Sequence, residues 1–140
     1  NGQLRKYYLA AVSPPPSPLS GKIDAPILRD RESIIKRKVS EEGARAVTHY
    51  RTLSCREDYA VVEFLLETGR THQIRVHCSH AGFPIIGDTL YGTETVPPRA
   101  PHQLLHAYKT ELIHPVTGEA LAFTAPLPQE WGRYAPHTWP

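Results

Sequence analysis

Apolar and polar positions along the chain follow the pattern of short strands over most of its length. Runs rich in β-branched and aromatic residues occupy residues 6–12, 46–53 and 59–67, and only the polar segment 54–58 separates the last two. This arrangement predicts three strands, of which the second and third form an antiparallel hairpin. Closely spaced prolines at 14–18 remove backbone donors and end the first strand.

The second half of the chain continues this pattern after a helical interruption. Residues 102–115 predict another strand, residues 115–119 a tight turn, and residues 120–126 the returning strand. Residues 20–43 show no sustained period and predict an extended surface loop, and the tail from 127 predicts irregular structure.

One helix is predicted over residues 71–81. Ile74, Cys78 and Ala81 recur at spacings of four and three, which places them on one apolar stripe, and Gly82 suits the left-handed stop. The fold class is therefore α+β, with a mixed, mainly antiparallel sheet and few helices. Residues 1–140 are the size of one domain with one core.

Composition narrows the functional classes only slightly. The chain has 16 basic and 14 acidic side chains, a balance too mild to indicate a nucleic-acid partner by itself. Cys55 and Cys78 lack the spacing of a cysteine zinc site and do not suggest a disulfide scaffold, so we expect a reducing, cytoplasmic setting. No apolar run approaches the roughly 20 residues that span a bilayer, so no membrane partner is expected.

The segment "ETGRTHQIRVH", residues 67–77, contains the densest group of polar side chains that could bind a ligand or take part in catalysis. Thr71 is placed to cap the helix, and Arg70 and Arg75 flank its start. Cationic forks around a helix N-terminus favour a carboxylate or phosphate. His72 and Gln73 can donate or accept hydrogen bonds beside them. The alternative is that these residues only cap the helix and pair with surface acids.

The histidines do not predict a metal site. His72, His77 and His80 lie near one another in sequence, but residues i and i+5 diverge by about 140° on a helix, so the first two do not face one ion. We expect His77 and His106 to be buried or half-buried hydrogen-bonding partners.

A family resemblance changes this picture. The segments "TGRTHQIRVH", "HAGFPIIGDTLYG" and "LLHAYKTELIHPVTGE" resemble the RluA-type RNA pseudouridine synthases, and "KYYLAAV", "SGKIDAPILRD" and "ARAVTHYRTL" resemble further segments of the same family. Nearly the whole chain is covered. The resemblance implies an isomerase that converts uridine in rRNA or tRNA to pseudouridine, without cofactor or metal.

The resemblance also assigns roles to two residues. Tyr8 falls on the family's active-site tyrosine, which stacks on the target base and is a candidate to remove the C5 proton; the alternative is an ordinary strand aromatic in the core. Arg75 falls on the arginine that pairs with the catalytic aspartate. In the family that aspartate lies in a His-Arg-Leu-Asp segment, which this chain does not contain.

The four aspartates of the chain all lie in other contexts, so none receives the catalytic role: Asp24, Asp30, Asp58 and Asp88. We therefore expect the chain to be the C-terminal portion of a synthase domain, inactive alone, with a sheet edge exposed to pairing with another chain. Two alternatives remain open, a non-catalytic RNA-binding module and one part of a split synthase.

An RNA partner follows from the same resemblance. Basic side chains are expected to contact phosphates, and motif residues are expected to contact RNA or cap the helix. The expected RNA-binding residues are Lys6, Lys36, Arg37, Lys38, Arg70, Thr71, His72 and Gln73.

Overall fold

The computed structural model describes residues 4–33, 36–92 and 102–134. The elements in chain order are β1 (Leu4–Val12), β2 (Ser20–Asp24), β3 (Ile27–Arg29), β4 (Arg37–Val39), β5 (Val47–Cys55), β6 (Ala60–Leu66), α1 (Gln73–His80), β7 (Leu105–Ile113), β8 (Ala120–Thr124) and a 3-10 helix (Gln129–Tyr134). The predicted strands and the predicted helix are all present.

Six strands form one sheet in the order β2-β5-β6-β1-β7-β8, and β3 pairs with β4 in a separate ribbon. Every strand pairing in the described ranges is antiparallel. The predicted α+β class with a mainly antiparallel sheet is confirmed, and so is the β5–β6 hairpin. The prediction of an extended loop over residues 20–43 is wrong, because β2 pairs along β5 and residues 27–29 pair with 37–39.

The sheet buries both of its faces. On the helix face, Ala10, Val12 and Phe64 pack against Ile74 and Cys78 of α1. On the opposite face, a second core forms from alternate strand residues and from the C-terminal 3-10 helix; it contains Leu9, Ala11, Val61, Leu104, Trp131 and Tyr134. Because side chains alternate along a strand, β1 supplies both cores and lies near the centre of the domain.

Residues with a left-handed backbone conformation mark both ends of helix α1. Its N-cap is His72, which has a left-handed backbone (φ 56°) and makes no capping hydrogen bond from its side chain. The prediction that Thr71 caps the helix is therefore wrong, and Thr71 is exposed. Gly82 has φ 91°, as expected for the left-handed stop.

The two edges of the sheet are β2 and β8. Phe123 on β8 is 59% exposed, so this edge carries a large apolar side chain in contact with solvent. Pairing of an edge with another chain stays a prediction. Among the described residues no helix is long and apolar enough to cross a membrane.

Candidate active site

Tyr8 lies at an irregularity of the sheet. It is half-buried on the helix face, where it packs against the core cluster that contains Phe64 and Ile74. Tyr8 is opposite Ala107 of β7, whereas Tyr7 is opposite Lys109, so β7 carries a bulge directly beside Tyr8. Bulges bend a strand and re-aim neighbouring side chains, and they are common next to active sites. The ring of Tyr8 therefore borders the core without being sealed in it.

Arg75 follows Ile74 on α1 and makes a bidentate ion pair. Its Nε donates to Oδ2 of Asp88 at 2.9 Å, and its Nη2 donates to Oδ1 at 2.8 Å. The two side chains are 14% and 1% exposed. Burial alone would raise the pKa of Asp88, but hydrogen bonds from Arg75 and from the backbone, together with the charge of Arg75, lower it overall. Both groups are therefore charged at neutral pH.

Residues 87–92, here called the Asp88 loop, fold around this carboxylate. Oδ1 of Asp88 also accepts hydrogen bonds from the backbone N–H groups of Leu90 (3.0 Å) and Tyr91 (3.1 Å). The loop closes through a bond from the Gly92 N–H to the Asp88 carbonyl, where an added Cβ at Gly92 would lie only 2.2 Å from that oxygen. Since the Asp88 carboxylate already accepts four hydrogen bonds and is buried, it is not a free nucleophile.

Tyr91 connects the Asp88 loop to α1 and to β4. Its hydroxyl accepts a hydrogen bond from the backbone N–H of Arg37 at 2.8 Å and lies 2.7 Å from Nδ1 of His72. Its ring lies 5.1 Å from the guanidinium carbon of Arg75, within the range of a cation–π contact. Burial lowers the pKa of His72, and the charges of Arg75 and Arg37 lower it further. With the proton of the neutral His72 ring on Nε2, Nδ1 accepts a hydrogen bond from the Tyr91 hydroxyl.

Gln73 lies in the interior and is 2% exposed. Its Oε1 accepts hydrogen bonds from the Thr68 hydroxyl (2.7 Å) and the Arg70 N–H (3.0 Å). Its Nε2 donates to the Val47 carbonyl and to the Thr48 hydroxyl, both at 3.0 Å. The prediction that Gln73 contacts RNA is contradicted, because its side chain is buried and all its hydrogen-bonding groups are used.

His77 continues this buried network. It is fully buried; its Nδ1 lies 2.7 Å from the Thr48 hydroxyl and its Nε2 lies 2.8 Å from the Ala25 carbonyl. Since a carbonyl only accepts, Nε2 carries the proton. Burial lowers the pKa of His77, so the ring is neutral. The expectation of a buried hydrogen-bonding histidine is confirmed here, and half-buried His106 bonds through Nε2 to the Ala125 carbonyl.

The predicted anion site at the start of α1 is not formed. Arg75 is engaged by Asp88, and Nε of Arg70 donates to the Arg45 carbonyl at 2.7 Å. The two guanidinium groups thus bind separate partners and do not converge on one position. In the described ranges, no group of three or more His, Cys, Asp or Glu side chains is placed to hold a metal ion.

The other expected RNA contacts differ in accessibility. Lys6 is exposed and, by the alternation along β1, lies on the same face as Tyr8. Lys38 is exposed, while Lys36 and Arg37 are half-buried. Arg70 and Thr71 are exposed beside the half-buried His72. These residues therefore keep surface that RNA can reach.

Asp88 and Tyr91 are the residues of the site that the sequence reading missed. The segment "FPIIGDTLYG" predicted only turns, although it is part of the family resemblance. The available sequence signal is a charged residue between an apolar run and a turn that ends in glycine, shortly after the helix that carries Arg75.

Comparisons with known proteins agree with this geometry. A sequence profile described as RNA pseudouridylate synthase matches residues 1–80, more than half of the chain. The chain belongs to the RNA pseudouridylate synthase family.

Relatives and solved structures support the same assignment. The chain is 44% identical over 133 residues to the uncharacterized RNA pseudouridine synthase YjbO of Bacillus subtilis, covering 95% of this chain and 46% of that protein. It is 43% identical over 123 residues to the ribosomal large subunit pseudouridine synthase D of Pseudomonas aeruginosa, covering 79% and 38%. The chain thus spans less than half of the length of these relatives.

Among solved structures, human RNA pseudouridylate synthase domain containing 1 superimposes with a TM-score of 0.74 at 26% identity, covering 89% of this chain and 55% of that one. Human RNA pseudouridylate synthase domain containing 4 gives a TM-score of 0.71 at 28% identity, covering 90% and 59%. The antiparallel sheet with its α-helix therefore matches part of the fold of each of these synthase domains.

Proposed function

We propose that this chain is the part of an RNA pseudouridine synthase that holds the target uridine and the arginine of the active site. The observation that supports this proposal most directly is that Tyr8 and α1 lie on the same face of the sheet. Tyr8 packs on the cluster that contains Ile74, and Arg75 is the next residue of the helix. The proposed reaction breaks the bond from C1′ to N1 of uracil and forms a bond from C1′ to C5. The proton leaves C5 and N1 gains one, so no oxidant or reductant is needed.

Tyr8 has two roles in this proposal. Its ring stacks on the extruded uracil and offsets part of the cost of unstacking, which is a few kcal/mol. Its hydroxyl oxygen takes the C5 proton after the new bond has formed and releases its own proton to solvent in the same step, while N1 gains a proton from solvent. A half-buried position suits both roles, because the side chain packs on the core and keeps part of its surface accessible.

Arg75 holds the reacting carboxylate. A guanidinium has five N–H donors, and Asp88 accepts from two of them. We propose that the remaining N–H groups of Arg75 donate to an aspartate supplied from outside residues 1–140. The chain has no His-Arg-Leu-Asp segment, and the Asp88 carboxylate already has its hydrogen-bond partners. The 140-residue chain alone is accordingly expected to be inactive.

Tritium release from RNA that contains 5-tritiated uridine tests this proposal. The gene product as its own cells make it is expected to release tritium from rRNA or tRNA transcripts, and the 140-residue chain is expected to release no more than a blank. Enzyme-like release by the chain alone would refute the external carboxylate. Absence of release by the gene product on both RNA classes would refute the synthase and favour a non-catalytic RNA-binding module.

The RNA is proposed to run across the helix face, contacting Lys6 near Tyr8 and the basic residues of β4 and of the α1 start. Lys6→Gln is expected to weaken single-stranded RNA binding and to reduce the slope of log affinity against log salt by about 0.7, the contribution of one phosphate contact. Arg5→Gln is the matched control, because Arg5 is the adjacent exposed cation on the opposite face.

Fluorescence anisotropy between about 50 and 200 mM salt measures this slope. Equal effects of the two substitutions would contradict an RNA path on the helix face.

A further inference from the structure

We infer that Asp88 and Tyr91 are positioning residues, which orient the Arg75 guanidinium so that its remaining N–H groups face the reacting carboxylate. This inference rests on the proposed function of Arg75. The bidentate pair fixes the guanidinium plane through two nearly equal hydrogen bonds, at 2.9 and 2.8 Å. The Tyr91 ring covers it at 5.1 Å. Two contacts from one loop thus restrict both the direction and the tilt of the group.

The two oxygens of the Asp88 carboxylate have different hydrogen-bond partners. The turn at residues 88–91 is held by Oδ1 of Asp88, which accepts from two backbone N–H groups. Oδ2 bonds to Nε of Arg75. An asparagine with its oxygen at the Oδ1 position would keep the turn. Its amide N–H₂ would then take the place of Oδ2, so that two donors, this amide and Nε–H of Arg75, would face each other. The second carboxylate oxygen of Asp88 therefore serves Arg75.

Burial of this ion pair also points to a role beyond stability. Removing two charges from water is costly, and a well-packed apolar pair of similar volume generally stabilises a fold as well or better. A guanidinium fixed on one edge by a buried carboxylate keeps its charge and presents its other edge in a constant orientation. Preorganised charge of this kind lowers the barrier of a reaction because no reorientation is needed when the charge develops.

Tyr91 extends the restraint to the start of α1. Its hydroxyl contacts Nδ1 of His72, the left-handed residue from which the helix begins, and it accepts the Arg37 N–H. The loop therefore holds both the side chain of Arg75 and the end of the helix that carries it. Loss of this hydroxyl is expected to loosen Arg75 less than loss of the Asp88 charge.

Asp88→Asn in the gene product tests the inference through kinetics. We expect kcat for pseudouridine formation to fall about 100-fold with KM for RNA changed less than threefold, since misplacement of a reacting group by about 1 Å has effects of this size. Asp58→Asn, at an exposed loop position, is the control and is expected to leave both constants unchanged. Tyr91→Phe is expected to lower kcat by a smaller factor.

An NMR readout in the same protein separates positioning from folding and from activity. The Arg75 Nε–H signal is expected to be sharp and slowly exchanging in the natural protein and to broaden or disappear in Asp88→Asn, while the backbone amide spectrum stays folded. An unchanged Nε–H signal, or an unchanged kcat in Asp88→Asn, would overturn the inference. An inactive natural protein with the expected signal change would refute the proposed function and leave the positioning of Arg75 established.

Discussion

Replacement of Tyr8 by phenylalanine is expected to remove most pseudouridine formation by the gene product while RNA binding persists. Phenylalanine keeps the ring that packs on the helix-face core and that is proposed to stack on the base, and it lacks only the hydroxyl proposed to take the C5 proton. Proton transfer by a positioned side chain contributes about 10²- to 10⁴-fold to a rate, so kcat is expected to fall by a factor in that range. Tritium release and RNA affinity, measured on the same preparation, report the two properties separately.

Tyr7→Phe is the matched control for this substitution. Tyr7 is the adjacent tyrosine of β1, and its ring lies on the opposite face, where its hydroxyl donates to Glu111 at 3.0 Å. The Tyr7→Phe variant is expected to retain the activity of the natural protein. Full turnover by Tyr8→Phe would exclude the proton-transfer role, and a loss of RNA affinity without a loss of kcat would limit the Tyr8 hydroxyl to a role in RNA binding.

Replacement of Gln73 by leucine is expected to lower the free energy of unfolding by about 3 kcal/mol or more. Leucine has a similar volume but cannot take part in the four hydrogen bonds of the Gln73 amide, which link the β5 backbone and Thr48 to the turn before α1. Each neutral hydrogen bond contributes about 0.5 to 1.5 kcal/mol, and a buried polar group left unsatisfied costs about 1 to 3 kcal/mol. Urea unfolding of the 140-residue chain measures the change.

Thr71→Ala provides the comparison for Gln73→Leu. Thr71 is exposed and makes no cap, so its removal is expected to change stability by no more than about 0.5 kcal/mol. Reduced RNA affinity at unchanged stability in Gln73→Leu would restore the RNA contact predicted from the motif. The expected result is the reverse, a structural role for a residue whose motif suggested binding.

The elements with local patterns were predictable from the chain itself. The β5–β6 and β7–β8 hairpins join strands that are close in sequence, and each strand carries its own β-rich signal. Residues 20–43 were not predictable in this way. Strand β2 is stabilised by pairing with β5, from Asp24 opposite Val47 to Ser20 opposite Arg51, and its burial pattern has one buried position, Ile23. Pairing partners outside a segment are not visible in its own periodicity.

The candidate site divides in a similar manner. The sequence by itself determined the family resemblance, the strand that carries Tyr8, the helix that carries Arg75 and the absence of a His-Arg-Leu-Asp segment in the 140 residues. These properties depend on residue identity and on short spacings.

Only the tertiary structure decided how the polar groups of the motif are paired. It turned Arg75 toward Asp88, buried Gln73 among β5 and the turn before α1, and began the helix at His72 instead of capping it with Thr71. The physical reason is that hydrogen bonding and burial depend on which distant groups the folded backbone brings within about 3 Å. Spacing along the chain places these side chains on an element, and packing between elements selects their partners.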